Sequence, residues 1–207
     1  MENTLKKRCF IVFEGIDGSG KSTQAAMLAQ RLTKLGIPIL LTCEPSHGPV
    51  GRIIRSLTTR PEPEEEERLF TEDRRDHVNR TILPAMKEGK TVICDRYIHS
   101  SAAYQGARGL DPIVLIRSSM SFAPKPDIVF LLEIPIDLAM ARIGSVRAEG
   151  FSLFEATENL RLVDGIYRGL TDPCITRIDG TRDPDEIHRV IWDMVNGMHC
   201  VGDKNRF

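Results

Sequence analysis

The residues best equipped for chemistry sit in one octapeptide. Gly15-Ile16-Asp17-Gly18-Ser19-Gly20-Lys21-Ser22 satisfies G-x-x-x-x-G-K-[ST], and Thr23 follows it. Glycines at Gly15, Gly18 and Gly20 let the chain curl into a nest of N–H groups around Ser19. A helix opening at the same point adds the partial positive charge of its N-terminus. In that setting Lys21 reaches the β- and γ-phosphates of a nucleotide and the Ser22 hydroxyl is a ligand for Mg²⁺. The octapeptide lies between the apolar run Cys9–Phe13 and a stretch with Ala25, Leu28, Leu32 and Leu35 at helical spacing, and the chemistry requires that strand-to-helix context. The expected ligand is a nucleoside triphosphate.

A second polar landmark, Asp95-Arg96-Tyr97, follows the apolar run Thr91–Cys94 directly. Ligands of open α/β sheets gather at the carboxyl ends of the strands, so this tripeptide is expected beside the phosphate cradle. Asp95 is suited to hold Mg²⁺ through water or to orient an acceptor, and Arg96 to clamp a phosphate. The histidines His77, His99 and His188 lack metal-ligand spacing and read as solvated, and Trp192 reads as packing.

The elements that must position these groups alternate between short apolar runs and longer helical patterns. Strands are predicted at Cys9–Phe13, Ile37–Thr42, Thr91–Cys94, Ile128–Leu132 and Ile175–Ile178, a helix ending at Gly36, and a last helix at Pro184–Met198. This is an α/β pattern, a parallel sheet covered by helices, in a single domain over residues 1–207. Arg60–Glu67 (RPEPEEEE) reads as an exposed loop running into the acidic first turn of a helix. The polar stretch Gly144–Ser152 reads as a connector or a mobile flap, and a flexible lid is expected at about residues 143–153.

Composition narrows the partners. The chain has 207 residues, with 28 basic against 29 acidic side chains and a net charge of −1, which excludes a global electrostatic attraction to nucleic acid or anionic membrane. Its 41% hydrophobic content is that of a globular chain, and no apolar run approaches the roughly 20 residues needed to cross a bilayer. The apolar stretch after the basic start is too short for a signal peptide. Cys9, Cys43, Cys94, Cys174 and Cys200 have no paired spacing and read as free thiols in a reducing, cytoplasmic compartment.

The order of motifs resembles the thymidylate kinase family. The matching stretches are Glu14–Thr23, Glu44-Pro45, Phe70–Arg74 (FTEDR), Asp95–Tyr97, Ser100–Gly106 (SSAAYQG) and Lys125-Pro126-Asp127. The resemblance implies the three-layer P-loop NTPase fold, with about five parallel strands and helices on both faces. It also implies Mg²⁺-dependent transfer of the ATP γ-phosphate to dTMP in dTTP synthesis, and commonly a homodimer. It implies that Asp17 touches the acceptor 3′-hydroxyl, Phe70 stacks on thymine, Arg74 bonds the base edge and Arg96 holds the acceptor phosphate. Glu44 belongs to the same acceptor set, and Ser101, Tyr104 and Gln105 line the base and deoxyribose. Arg142 and Arg182 are implied near the donor adenine. Phosphoryl transfer rests on positioning and charge neutralisation, so the catalytic set is expected to be Lys21, Arg96, Asp95 with Mg²⁺, and a lid arginine, with no general base of shifted pKa.

The chain departs from the family pattern in places. Gly18 stands where animal and yeast relatives carry arginine, which passes the charge to basic residues of the flap, Arg147 first and Arg142 second. Ser152-Leu153 replaces an Asp-Arg pair before Phe154-Glu155, and Cys43, Ser46–Pro49 and Glu133 also differ. Three alternatives stay open: another P-loop nucleoside or nucleotide kinase; a catalytically impaired relative that binds nucleotide structurally, suggested by the missing flap arginine; and a nucleotide-dependent switch protein. Against the last, the chain has no N-K-x-D element for guanine, and a switch has no use for Ser100–Gly106.

Overall fold

The computed structural model describes residues 9–144 and 153–198. Five strands, β1 (Phe10–Glu14), β2 (Ile39–Cys43), β3 (Thr91–Asp95), β4 (Ile128–Glu133) and β5 (Ile175–Asp179), form one sheet in the order β2-β3-β1-β4-β5. Every pairing is parallel. Central β1 is buried at all five positions, which is why it reads as a continuous apolar run rather than an alternating one. All five strands fall where the sequence predicts them, within one or two residues.

The two faces of β1 feed two cores, as the period of two requires. Ile11 and Phe13 pack with Leu28 and Leu32 of α1 (Lys21–Lys34) and with Ile187 and Ile191 of α9 (Pro184–Gly197). Phe10 and Val12 pack on the opposite side against Val78, Ile82, Tyr97 and Ile98. The chain leaves α1 through Gly36, whose φ of +74° a side chain would resist. Trp192 packs against the first core, with the Arg31 guanidinium 3.8 Å over its ring.

The remaining helices are α2 (Pro49–Ser56), α3 (Pro63–His77), α4 (Leu83–Lys87), α5 (Ile98–Gly106), α6 (Pro112–Met120), α7 (Ile136–Ile143) and α8 (Leu153–Gly169). A π-helical turn, Val78–Ile82, joins α3 to α4. Helix α3 opens on a proline and the acidic turn Glu64–Glu66, as expected. Glu66 is nevertheless buried, because Arg60 at 3.0 Å and Arg108 at 2.7 Å neutralise it. A third cluster, including Ile16, Ala103, Ala139 and Val163, seats α5, α7 and α8 against the loop that follows β1. Among the described residues no helix is long and apolar enough to cross a membrane.

Two expectations are corrected. His77 and His99 are buried at 3% and 0% exposure instead of solvated, since each sits on the buried face of a helix that the sequence pattern alone cannot orient. Cys43, Cys94 and Cys174 are free thiols, but Cys9 is disulfide-bonded. Of the lid expected at about residues 143–153, residues 145–152 with Arg147 lie outside the described residues.

Candidate active site

The strand order reverses at β1, which has β3 on one side and β4 on the other. A crevice opens at such a point beyond the carboxyl ends of the strands. Register sets Phe13 beside both Asp95 and Phe130, so the loops after β1 and β3 emerge together.

The first loop is the glycine-rich octapeptide. Gly15 has a φ of +137°, and a Cβ there would stand 2.4 Å from the Leu132 carbonyl oxygen, so β4 admits only glycine. Gly20, at φ +96°, turns the chain into α1. Lys21 is buried and folds back, its Nζ donating to the Ile16 carbonyl at 2.8 Å and to Ser19 Oγ at 3.4 Å. Burial, then Arg96, lowers its ammonium pKa to about 7, against the pull of Asp17, Asp95 and Glu14. A shifted titrating group was not expected from the sequence; the shift comes from enclosure, which the sequence does not display.

Ser22 Oγ donates to Asp95 Oδ2, and Asp95 Oδ1 is buried with no hydrogen-bond partner. A hydroxyl beside a carboxylate with a spare oxygen is a hard, oxygen-only donor set that fits Mg²⁺. Around these groups lies a cleft of about 500 Å³ lined by Gly18–Gln24, Leu132 and Gly180, with Arg142 and Arg182 at its edge. Thr23 lies in this lining as well. Arg142 donates to the Gly18 carbonyl at 3.1 Å, and Arg182 to Asp179 at 3.2 Å.

A second cavity of about 240 Å³ adjoins the first. Glu44, Phe70, Arg74, Ser101, Tyr104 and Gln105 all line it, so the structure gathers the acceptor residues named from the sequence. Phe70 is half-buried on the cavity wall and joins none of the core clusters. Arg74 is 1% exposed and spans the floor, donating to Glu44 Oε2 (2.8 Å), Ser119 Oγ (2.9 Å), the Tyr97 carbonyl (3.1 Å) and Ser101 Oγ (2.8 Å). Of the five guanidinium protons, this leaves one on Nη1. Gln105 Oε1 is buried without a hydrogen-bond partner, an acceptor awaiting an N–H.

Asp17 and Arg96 line both cavities. Arg96 has a φ of +69°, a conformation costly for a side-chain-bearing residue. Its Nη2 donates to Asp17 Oδ1 at 2.6 Å and to Tyr104 Oη at 3.2 Å, and its Nη1 to Ser100 Oγ at 3.2 Å. The Tyr104 phenol, whose pKa burial pushes up to about 12, stays neutral and accepts.

Several supporting residues were not singled out from the sequence. Glu14, fully buried, accepts from the Tyr97 and Ser100 amides (2.9 and 3.1 Å), Ser100 Oγ (2.5 Å) and Tyr167 Oη (2.9 Å), binding the end of β1 to the start of α5. His77 bonds Thr42 Oγ1 at 2.7 Å and Glu44 Oε1 at 3.2 Å, and so holds the carboxylate that holds Arg74. Ser119 comes from α6, far along the chain. Only Glu14 left a trace in sequence, as a carboxylate closing an apolar strand just before the glycine loop.

Comparison with known proteins agrees with this geometry. The family model described as thymidylate kinase matches residues 13–191. A thymidylate kinase of Desulfotalea psychrophila is 45% identical over 184 residues, covering 87% of this chain and 91% of the relative. One from Akkermansia muciniphila is 41% identical, covering 88% of each. A probable thymidylate kinase of Pyrococcus horikoshii is 49% identical over 142 residues, 65% of this chain and 69% of the relative. With a match of that extent and the same motifs gathered around one crevice, the chain belongs to the thymidylate kinase family.

Proposed function

We propose that this chain transfers the γ-phosphate of ATP to dTMP, giving ADP and dTDP. The observation that carries the reading is the common wall of Asp17 and Arg96 between a triphosphate-sized cleft and a nucleoside-sized cavity. Two nucleotides seated there meet phosphate to phosphate. An oxygen of the acceptor phosphate attacks the γ-phosphorus, and the bond to the β–γ bridging oxygen breaks, with ADP as leaving group. The loop amides and Lys21 hold the donor phosphates, and Arg96 holds the acceptor phosphate as charge shifts between them. Mg²⁺, when bound to the nucleotide, supplies further positive charge; Ser22 and Asp95 would hold it.

The acceptor cavity supplies specificity. Gln105 Oε1 matches an N–H at position 3 of thymine, and the remaining Arg74 proton matches its O4 carbonyl. Cytosine presents the reverse pattern, and stranding those buried groups costs a factor of roughly 10⁴. Phe70 stacks on the base, with Ser101 and Tyr104 beside the sugar and Asp17 at its 3′-hydroxyl. Arg142 and Arg182 flank the adenine, and Arg147 of the lid supplies further charge. The enzyme we envisage is a cytoplasmic homodimer, whose interface would cover exposed apolar residues such as Ile113 and Val114 of α6, 60% and 57% exposed.

The test is ADP release with Mg·ATP and a panel of dTMP, dUMP, dCMP and thymidine. Turnover is expected with dTMP, weaker with dUMP by the roughly 1–3 kcal/mol of one methyl group, and negligible with dCMP. Phe70→Ala should raise the KM for dTMP far more than that for ATP. Equal turnover without any acceptor would favour a nucleotide switch, a reading the second cavity argues against.

A further inference from the structure

A separate polar cluster lies where the first turn of α5 meets the loop between α8 and β5. His99 is fully buried, and neither ring nitrogen has a hydrogen-bond partner. Its Nε2 stands 3.6 Å from Asp172 Oδ2, beyond hydrogen-bond reach. Cys174, two residues past Asp172, brings a sulfur to the same point: one ligand atom from each of His99, Asp172 and Cys174 lies within 4.8 Å of the others. The one polar contact found for this imidazole among the described residues is that long one to Asp172, with a thiol beside it, and packing alone explains such an arrangement poorly.

We propose that His99, Asp172 and Cys174 hold a single divalent cation of the zinc class. Nitrogen, oxygen and sulfur donors together select a borderline-soft ion over Mg²⁺, which keeps to oxygen. The carboxylate is already oriented for the task. Its Oδ1 accepts the Cys174 amide at 3.1 Å and faces Lys125 Nζ at 3.5 Å, which leaves Oδ2 turned toward His99. Such outer contacts fix a ligand before the metal arrives. Lys125, with 55% of its side chain exposed, is free to swing into water, and half-buried Cys174 gives the cation a way in. Binding displaces the thiol proton to solvent and leaves a thiolate on the metal. With three protein ligands a fourth position stays open to water. The cation ties α5, which begins just after Arg96, to the loop ahead of edge strand β5.

Co²⁺ is the probe, added to chelator-treated full-length protein without nucleotide. The expected result is one equivalent bound, with a thiolate-to-cobalt charge-transfer band, and a rise in melting temperature with Zn²⁺ but not with Mg²⁺. Cys174→Ser and His99→Ala should each abolish the band. Cys43→Ser should leave it, which excludes the other thiol–imidazole pair, Cys43 with His47 at 3.7 Å. Circular dichroism checks that the variants fold; if His99→Ala does not, His99→Gln carries the same comparison. No band in the unaltered protein, or a band that survives Cys174→Ser, overturns the proposal.

Discussion

Arg96 and Asp17 form an ion pair at 2.6 Å that belongs to both cavities at once. The pair is half-open to solvent, with 18% and 43% of the two side chains exposed, so an incoming phosphate can compete with Asp17 for the guanidinium. The backbone at Arg96 is held at a φ of +69° to aim that group, as expected where strain serves a site.

Substitution at Arg96 separates strain from chemistry. Arg96→Gly and Arg96→Ala should both lose turnover by orders of magnitude. The glycine variant should be the more stable of the two by about 1–2 kcal/mol, because alanine keeps the Cβ that the left-handed region disfavours. Urea denaturation of the pair measures this; equal stabilities would mean the strain is relieved elsewhere.

Lys21 makes donor binding pH-dependent. Its amine, lowered to about 7 by burial and by Arg96, is increasingly neutral above that pH before nucleotide binds. A bound triphosphate favours the ammonium form and raises the pKa, so binding takes up a proton. Affinity for ATP is therefore flat below the free pKa and falls as pH rises above it, by at most about tenfold per unit. Calorimetry in buffers of different ionisation enthalpy, at about pH 8.5 where Lys21 is mostly neutral, should show proton uptake that Lys21→Ala abolishes.

Arg74 is a structural post, apart from the base-reading role proposed for it. Arg74→Met removes the cation that balances buried Glu44 and leaves Ser101, Ser119 and the Tyr97 carbonyl without their donor. The expected loss is roughly 3–5 kcal/mol of stability, seen as a lower urea midpoint. The variant is thus a poor test of specificity, and Gln105→Leu is the better one, expected to raise the KM for dTMP while the fold holds.

The arginine that some relatives carry at position 18 would be strained here. Gly18 has a φ of +79°, and a Cβ would stand 2.9 Å from the Ala139 carbonyl oxygen on α7. Gly18→Ala should cost about 1–2 kcal/mol from the backbone alone, and more from the contact, with a fall in activity as the loop shifts. The positive charge must then come from another quarter. Arg142 already reaches the Gly18 carbonyl, and comparing kcat for Arg142→Ala and Arg147→Ala shows which arginine supplies it.

What sequence alone determined was local. The glycine pattern before Lys21 has one low-energy use, because few other residues fit φ values like those of Gly15 and Gly20, and the short apolar runs alternating with helical patterns marked the strands of a parallel sheet. The motif order was enough to name Phe70, Arg74, Arg96 and Gln105 together, and they line one cavity. Tertiary structure decided the rest, since burial and long-range partners depend on how helices lie on the sheet. His77 and His99 turned inward, Glu66 found two arginines, and Cys9 a covalent partner. Ser119 and Tyr167 were brought to the crevice from distant stretches of chain, and the Lys21 pKa was lowered by an enclosure that no spacing of residues displays.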